Sequence, residues 1–569
     1  MKINNIFKSL AVGASALLTL SSCDDFLSIQ PMNEIVLENY WTEEADVSSV
    51  LNSCYATLES ADCLQRMIVW GELRSDNMEV GSGAPNDIQQ ILKENLLETN
   101  GFAKWDPFYK VINYCNTVIH YAPQVADKDP NFTQSELRAT IAEATTLRSL
   151  CYFYLIRTFR DVPYVTQPSL NDDQDYAVPA QKFDAVLDSI ISDVENVKND
   201  AVRSYGEDSE ENKCRITRWA CYALLADMYL WKGDYQKCID NCDLIIARKI
   251  QEYEEEKEEN PTTLTLELYG NKYPLISEAR TGSTIAGTTY NEIFGEGNSF
   301  ESIFELNFVE TQSVANSAVA SYYGSNSNSE GQIAVPSYFS EGMDNNTNEY
   351  FRKSDCRYLE NISVGTSKNF ICKYVNENVS FRTNLTTGAL PTPDGSVRST
   401  NFANWIIYRL TDIILMRAEA QVELAGNVTP DMQITDEQTD LYRRAFADVM
   451  AVWRRGNNMR TATRDTLVFA NYAGSRLEME DLIFDERQRE LMFEGKRWYD
   501  FVRLCRRDGE NSRMIKKVLS KFKQDQASIR IRLAAQDALF YPYHREELKV
   551  NPYLVQNPAY KSSDNFEQN

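Results

Sequence analysis

Residues Cys221 to Ile245 carry the pattern that most narrows what this chain can fold into. Leu225, Ala226, Tyr229, Gly233, Tyr235, Cys238 and Cys242 stand at the offsets of a repeating helical hairpin. Leu225 and Tyr229 fill the space between two antiparallel helices, Gly233 makes the turn, and small residues at 226, 238 and 242 let the helices approach closely. A looser copy begins at Asp412, runs through Ala420 to Gly426, and has a late second helix from Leu441 to Trp453. Ala142 to Phe159 is a third candidate. Chance supplies one such match; three make a helical-repeat framework the better reading.

Helical periodicity supports this beyond the hairpins. From Asn39 onward Trp41, Ala45, Val50, Tyr55 and Leu58 share one face, and apolar residues recur at helical spacing over 105–122, 136–160, 181–198, 215–247, 405–425, 438–454, 479–508 and 513–520. Between about 250 and 400 the texture changes to Gly, Ser, Asn and Thr with short β-like runs at Ser302 to Phe308 and Asn369 to Tyr374. The expected fold is therefore mainly α: a tetratricopeptide-like scaffold of helical hairpins over 39–250 and 401–530, a large insert of irregular loops and short strands over 250–400, and a tail over 531–569. Long loops on a rigid scaffold are where binding usually resides.

The N-terminus sets the address. Lys2 and Lys8 precede an apolar run, Ala11 to Leu20, that is too short to span a bilayer, and Leu20-Ser21-Ser22-Cys23 follows. This layout resembles a bacterial lipoprotein signal over 1–22, with Cys23 lipidated as the mature N-terminus and 23–38 an extended leader. No later segment approaches the roughly 20 apolar residues of a membrane-spanning helix, so the membrane is reached through the lipid alone. The formal charge of −25 argues against nucleic acid and anionic lipid headgroups as partners. Of the twelve cysteines, Cys151, Cys221, Cys238 and Cys242 sit where a small apolar residue would pack, and most are read as core rather than disulfides. With no CxxC and only His120 and His544, neither a histidine-rich metal site nor a cofactor is expected.

The strongest internal motif runs from Ile483 to Arg503. On one helix, Arg487, Glu490, Glu494, Arg497, Asp500 and Arg503 recur every three or four residues with mostly alternating sign. Adjacent arginines lower carboxylate pKa values, so Glu490 and Glu494 read as parts of an ion ladder rather than a general acid and base.

Taken in order, these stretches resemble the SusD/RagB family of nutrient-binding lipoproteins. Cys23-Asp-Asp-Phe-Leu-Ser-Ile-Gln-Pro31, Tyr55-Ala-Thr-Leu58, Glu143-Ala-Thr-Thr-Leu-Arg148 through Arg160-Asp-Val-Pro163, the Glu486 to Arg503 motif, and the ending Asn551-Pro-Tyr-Leu … Gln556-Asn-Pro-Ala-Tyr560 all resemble family signatures. Arg160 and Ala559 stand where the family usually has glycine, and the 250–400 insert is unmatched. The resemblance implies a single SusD-like domain over 39–569. It also implies a cell-surface protein that captures a glycan, or in some members a peptide, without cleaving it. Its partner would be a TonB-dependent, SusC-like transporter. Asp24-Asp25 fits the acidic signal of lipoproteins that reach the outer face, so the outer membrane facing the exterior is the expected location.

A sugar site needs aromatic faces ringed by amides, carboxylates and guanidinium groups. Two regions offer them. Trp70-Gly-Glu-Leu-Arg-Ser-Asp-Asn77, followed by the Gly-Ser-Gly turn at 81–83, nominates Arg74, Asp76 and Asn77. The insert nominates Tyr290, Tyr322 and Tyr323, while Phe304, Phe308, Trp105 and Trp405 read as packing. A secreted helical-scaffold glycoside hydrolase is the competing enzyme reading. A Cys23→Ala variant is expected to lose lipid labelling and membrane fractionation; retention of both would refute the anchor.

Overall fold

The computed structural model describes residues 40–561 except 171–176, 207–208, 262–263, 271, 311–313, 325–330, 366–367, 384–388, 430–433 and 458–466. Cys23, with the signal and leader, lies outside the described residues.

The repeat hairpin forms as its spacing predicts. Helix Arg218–Lys232 ends at Gly233, whose φ of +82° is the left-handed cap that glycine adopts without cost, and Asp234 caps helix Tyr235–Glu259 by accepting from the Lys237 amide. Leu225, Ala226, Tyr229, Cys238 and Cys242 are all buried in the contact. The other helices extend this into one row. Glu44–Leu58 packs on Asp106–Ala126, which packs on Gln134–Phe159, followed by Phe183–Val197, Arg218–Lys232, Tyr235–Glu259 and Leu410–Ala425. Asp436–Gly456 and Arg476–Leu491 both close on the last of these. The chain leaves the row after Glu259 and re-enters at Leu410 against the helix it left, so the insert interrupts the sequence without interrupting the stack.

The insert holds short antiparallel strands. Leu266–Tyr269 pairs with Tyr273–Ile276, and a four-stranded sheet runs in the order Thr392–Val397, Asn376–Arg382, Thr284–Ile285, Arg280–Thr281. The eleven described cysteines are unpaired, and all but Cys214 are buried, as expected of small core residues. Phe304, Phe308, Trp105 and Trp405 are likewise buried.

Three local expectations change. Residues 405–409 are not helical: Trp405–Arg409 is a fully buried strand paired with Ser302–Leu306. Its run of bulky side chains, enclosed on both faces, suits a strand better than a helix with one wet side. In Glu44–Leu58 the inward face is Val47, Leu51, Cys54, Tyr55 and Leu58, leaving Ala45 exposed. The 479–508 segment is two helices, Arg476–Leu491 and Arg497–Asp508, broken at a turn where Phe493 and Gly495 have φ of +68° and +70°. That turn lies against residues 69–73 so closely that a Cβ on Gly71 would stand 1.8 Å from the Gly495 carbonyl oxygen.

The break converts the expected ladder along one helix into a network between elements. Glu490 is enclosed by Arg409 at 2.6 Å, Arg357 at 3.0 Å, and Arg455. Glu494, in the turn, takes Arg409 and Lys373, each at 2.7 Å. Arg357 also binds Asp355 and Glu486, each at 2.8 Å. Burial alone would raise the Glu490 carboxyl, but Arg455, Arg409 and Arg357 hold it well below the usual carboxylate range. Burial acts the same way on Glu494, where Arg409 and Lys373 prevail. Two of the cations, Arg357 and Lys373, belong to the insert, so the network fastens insert to scaffold. Removing one partner of a buried cluster strands the others. Glu490→Gln is therefore expected to destabilise the fold by about 3–5 kcal/mol in denaturant unfolding; a loss under about 1 kcal/mol, the scale of an exposed pair, would contradict this role.

Glu305, on the strand paired with Trp405–Arg409, is the opposite case. Its Oε1 accepts from the Asn298 amide at 2.5 Å while its Oε2 is buried without a partner. Burial pushes this carboxyl from 4.5 up to about 7, against hydrogen bonds from Ser302 and Asn298 and the charge of Lys213. The folded state then holds a proton that the unfolded state releases, so stability falls as pH rises from 4.5 to about 7 and is level above. Glu305→Gln is expected to remove that decline, gaining on the order of 2–3 kcal/mol over the wild type at pH 8 relative to pH 4.5. Parallel stability–pH curves for the two proteins would overturn the assignment.

Candidate functional site

The sequence-nominated residues of the first region are structural. Glu72, buried in the turn Val69–Leu73, accepts from the backbone amides of Phe493, Lys496 and Arg497 at 3.0 to 3.2 Å and so caps helix Arg497–Asp508. Burial raises its carboxyl despite these bonds and that of Asn77. Asn77 donates to Glu72 at 2.7 Å and accepts from Gln488 at 2.8 Å. Asp76 pairs with Arg497 at 2.9 Å, and burial fails to raise its carboxyl because Arg497 outweighs it. Arg74 binds Glu94 at 2.8 Å and the carbonyls of Ala538 and Leu539, with its guanidinium 4.0 Å from the Trp498 ring centroid. These side chains tie the N-terminal helices to the C-terminal ones. Arg74, Asp76 and Asn77 are each 1 % exposed or less, so the expectation that they present a ligand face is corrected: they are occupied by the protein itself.

Two of the insert tyrosines are also occupied. The Tyr290 hydroxyl donates to the carbonyls of Cys372 and Asn376 at 2.9 and 3.1 Å inside the insert's own core. The Tyr323 hydroxyl donates to the Phe493 carbonyl at 2.9 Å, bolting helix Ser317–Tyr323 to the turn between the two C-terminal helices. Neither offers a free ring face. Tyr322, its neighbour, is also buried, at 3 % exposure, but borders a cleft.

That cleft, of about 410 Å³, is where the two sequence-nominated regions meet, though mostly through residues beside those nominated. Strand Glu79–Val80 pairs antiparallel with Ile333–Ala334, joining scaffold to insert. The pairing continues as Gly81 donates to the Gln332 carbonyl at 2.9 Å. Two glycines make the approach possible. A Cβ on Gly81 would stand 2.4 Å from the Gly331 carbonyl oxygen, and one on Gly331 would stand 2.3 Å from that of Tyr322. Beyond them the walls separate. One carries Gln65, Asn86, Asp87 and Phe102, and the other Ser321, Tyr322 and Gln332.

Each wall is held from behind. Arg66 donates to the carbonyls of Lys104 and Gly101 at 2.8 and 3.2 Å, fixing the loop that bears Phe102, and its guanidinium lies 5.9 Å from the Phe102 ring centroid. The Trp70 indole donates to the Phe102 carbonyl at 2.8 Å. Asp87 accepts from the Gly101 amide at 2.9 Å. On the insert side Asn316 caps helix Ser317–Tyr323 through the Val319 amide at 3.1 Å and donates to the Ala403 carbonyl at 2.9 Å. The lining thus offers one half-buried aromatic ring, Phe102, beside the buried Tyr322, with three amides, a hydroxyl and one carboxylate already in use. Gln332 Oε1 is buried with no hydrogen-bond partner. Burial raises the Tyr322 phenol, which stays a neutral donor. Such a surface can stack on a sugar's C–H face and match its hydroxyls. Gln65, Asn86, Asp87, Phe102 and Gln332 escaped the sequence reading. The Gly-Ser-Gly turn at 81–83 was the usable signal, since it marks an open loop next to the cleft.

Comparison with known proteins agrees with the architecture. Residues 25–230 match a family model described as starch-binding associating with outer membrane, and residues 311–560 match the SusD family model. A SusD-like protein from Formosa agariphila is 25% identical over 573 residues, spanning 97% of this chain and 99% of that protein. A SusD superfamily structure from Bacteroides thetaiotaomicron superposes with a TM-score of 0.61 at 19% identity, covering 92% of this chain and 99% of that one. A laminarin binding SusD-like protein superposes with a TM-score of 0.62 at 21% identity, covering 91% and 100%. With one family model over 25–230, a second over 311–560 that reaches well into the insert, and a shared fold along nearly the whole length, this chain belongs to the SusD/RagB family, which is associated with the outer membrane.

Proposed function

We propose that this protein captures an oligosaccharide in the cleft between scaffold and insert, without cleaving it, and passes it to a TonB-dependent, SusC-like transporter. The lining of the cleft carries the reading: Phe102 supplies a ring, and Gln65, Asn86, Gln332 and Ser321 supply neutral hydrogen-bonding groups. A retaining or inverting glycosidase needs two carboxyl groups about 5–10 Å apart across the bond. The cleft lining contains Asp87, which the Gly101 amide engages. The name of the laminarin binding SusD-like protein, which shares the fold, favours a glucan over a peptide as first ligand to try. Lipidation at Cys23 would hold the cleft beside the transporter mouth on the exterior face of the outer membrane.

The test is titration calorimetry against laminari- and malto-oligosaccharides with a peptide panel alongside. A saccharide is expected to bind, and Phe102→Leu, which keeps apolar bulk at a half-buried position but removes the ring face, to weaken it about tenfold, near 1.4 kcal/mol. Peptide binding alone, reducing ends released at an enzymatic rate, or unchanged saccharide affinity in Phe102→Leu would contradict the proposal.

A further inference from the structure

A second cavity, of about 430 Å³, opens between residues 94–99 and the C-terminal tail. Its charge sets it apart. Arg74, Arg532, Arg545 and Lys561 line it against Glu94 and Glu98, so it is net positive in a chain of formal charge −25. The cleft between scaffold and insert has no cationic side chain in its lining. The local excess of cations favours an anion here against the chain's overall negative charge.

Glu94 supplies an independent reason to see a site. It is 4 % exposed and has φ of +53°, a left-handed backbone that a non-glycine residue holds only when its surroundings impose it. Its Oε2 is taken by Arg74, at 2.9 Å from Nε and 2.8 Å from Nη2, while its Oε1 is buried with no partner. A carboxylate oxygen left unpaired in the interior is costly, and a hydroxyl in the cavity would satisfy it. The cations divide in the same way. Arg74 is spent on Glu94 and Arg545 on Glu98 at 2.8 Å, whereas Arg532 and Lys561 make no ion pair among the described residues. Leu96, Leu97 and Leu533 give the cavity apolar wall, and Tyr560, its hydroxyl held by the Phe540 carbonyl at 3.0 Å, can offer a ring.

From these features we infer that the tail cavity binds a carboxylate-bearing sugar, such as a hexuronic acid. The sugar carboxylate pairs with Arg532 and Lys561, a ring hydroxyl donates to Glu94 Oε1, and the pyranose C–H face rests on the apolar wall. A neutral sugar satisfies only Glu94, and a simple inorganic anion only the cations, so the pairing of the two selects a sugar acid. This site is separate from the cleft of the proposed function and stands or falls independently of it.

The experiment is calorimetric titration of the full chain with glucuronate, glucose and sulfate at low and high salt. Glucuronate is expected to bind at least about tenfold more tightly than glucose or sulfate, and to weaken as salt rises. Combined Arg532→Ser and Lys561→Ser substitution, both at exposed positions, is expected to cost at least about tenfold in glucuronate affinity. Glu94→Gln with glucuronate gives a second reading on the hydroxyl contact and is expected to weaken binding. The inference is overturned if glucuronate binds no better than glucose, if sulfate binds as tightly, or if the double variant binds as the wild type does.

Discussion

Glu490 is a carboxylate enclosed with almost no access to water, and its neutralisation is the constraint on which the arrangement of this protein depends. A buried charge is tolerable only with close opposite charges, and no single element supplies enough of them. Arg409 comes from the strand that leads back into the helical row, Arg455 from the end of a neighbouring helix, and Arg357 from the insert. Packing alone would leave the insert free to settle on the scaffold in several ways, since apolar contact is not directional. The ion network selects one.

The consequences run outward from the turn that follows Glu490. Its open amides are capped by Glu72, which is why Trp70 to Asn77 is buried and polar at once. The Phe493 carbonyl in the same turn receives the Tyr323 hydroxyl, which seats helix Ser317–Tyr323 on the scaffold. Tyr322, one residue earlier, is thereby placed in the cleft wall opposite Phe102. Both adjacent tyrosines are buried: Tyr323 anchors the helix, and Tyr322 packs at the edge of the cleft. The cleft is a by-product of where the insert is fastened, and its chemistry can vary in the loops without disturbing the fastening.

The helical framework was legible in the sequence because its signals are local. The hairpin at Gly233 needs only spacing and a left-handed turn residue, both readable within 25 residues of chain, Cys221 to Ile245. The strand at Trp405–Arg409 was misread because a short, wholly buried apolar run has no period to distinguish strand from helix. The break at 492–496 was invisible for another reason: it is imposed by the distant Gly71 and Glu72. The same blindness affected the site. Polar residues in a loop-like stretch, Arg74, Asp76 and Asn77, looked available for a ligand, but their partners Glu94, Arg497 and Gln488 lie 20 to more than 400 positions away. Glu490 and Glu494 do sit in ion pairs, but not with the neighbouring Arg487 and Arg497 of the expected ladder: all of their partners, Arg357, Lys373, Arg409 and Arg455, are distant in sequence.

The central claim is that a saccharide lies between the two walls fastened by this network. Hydrogen–deuterium exchange with and without a bound oligosaccharide tests it most directly. The account predicts protection in 81–90 and 100–104 on the scaffold together with 317–324 and 331–334 on the insert, since a ligand in the cleft touches both. Protection on one wall alone, or confined to segments remote from both, would contradict it.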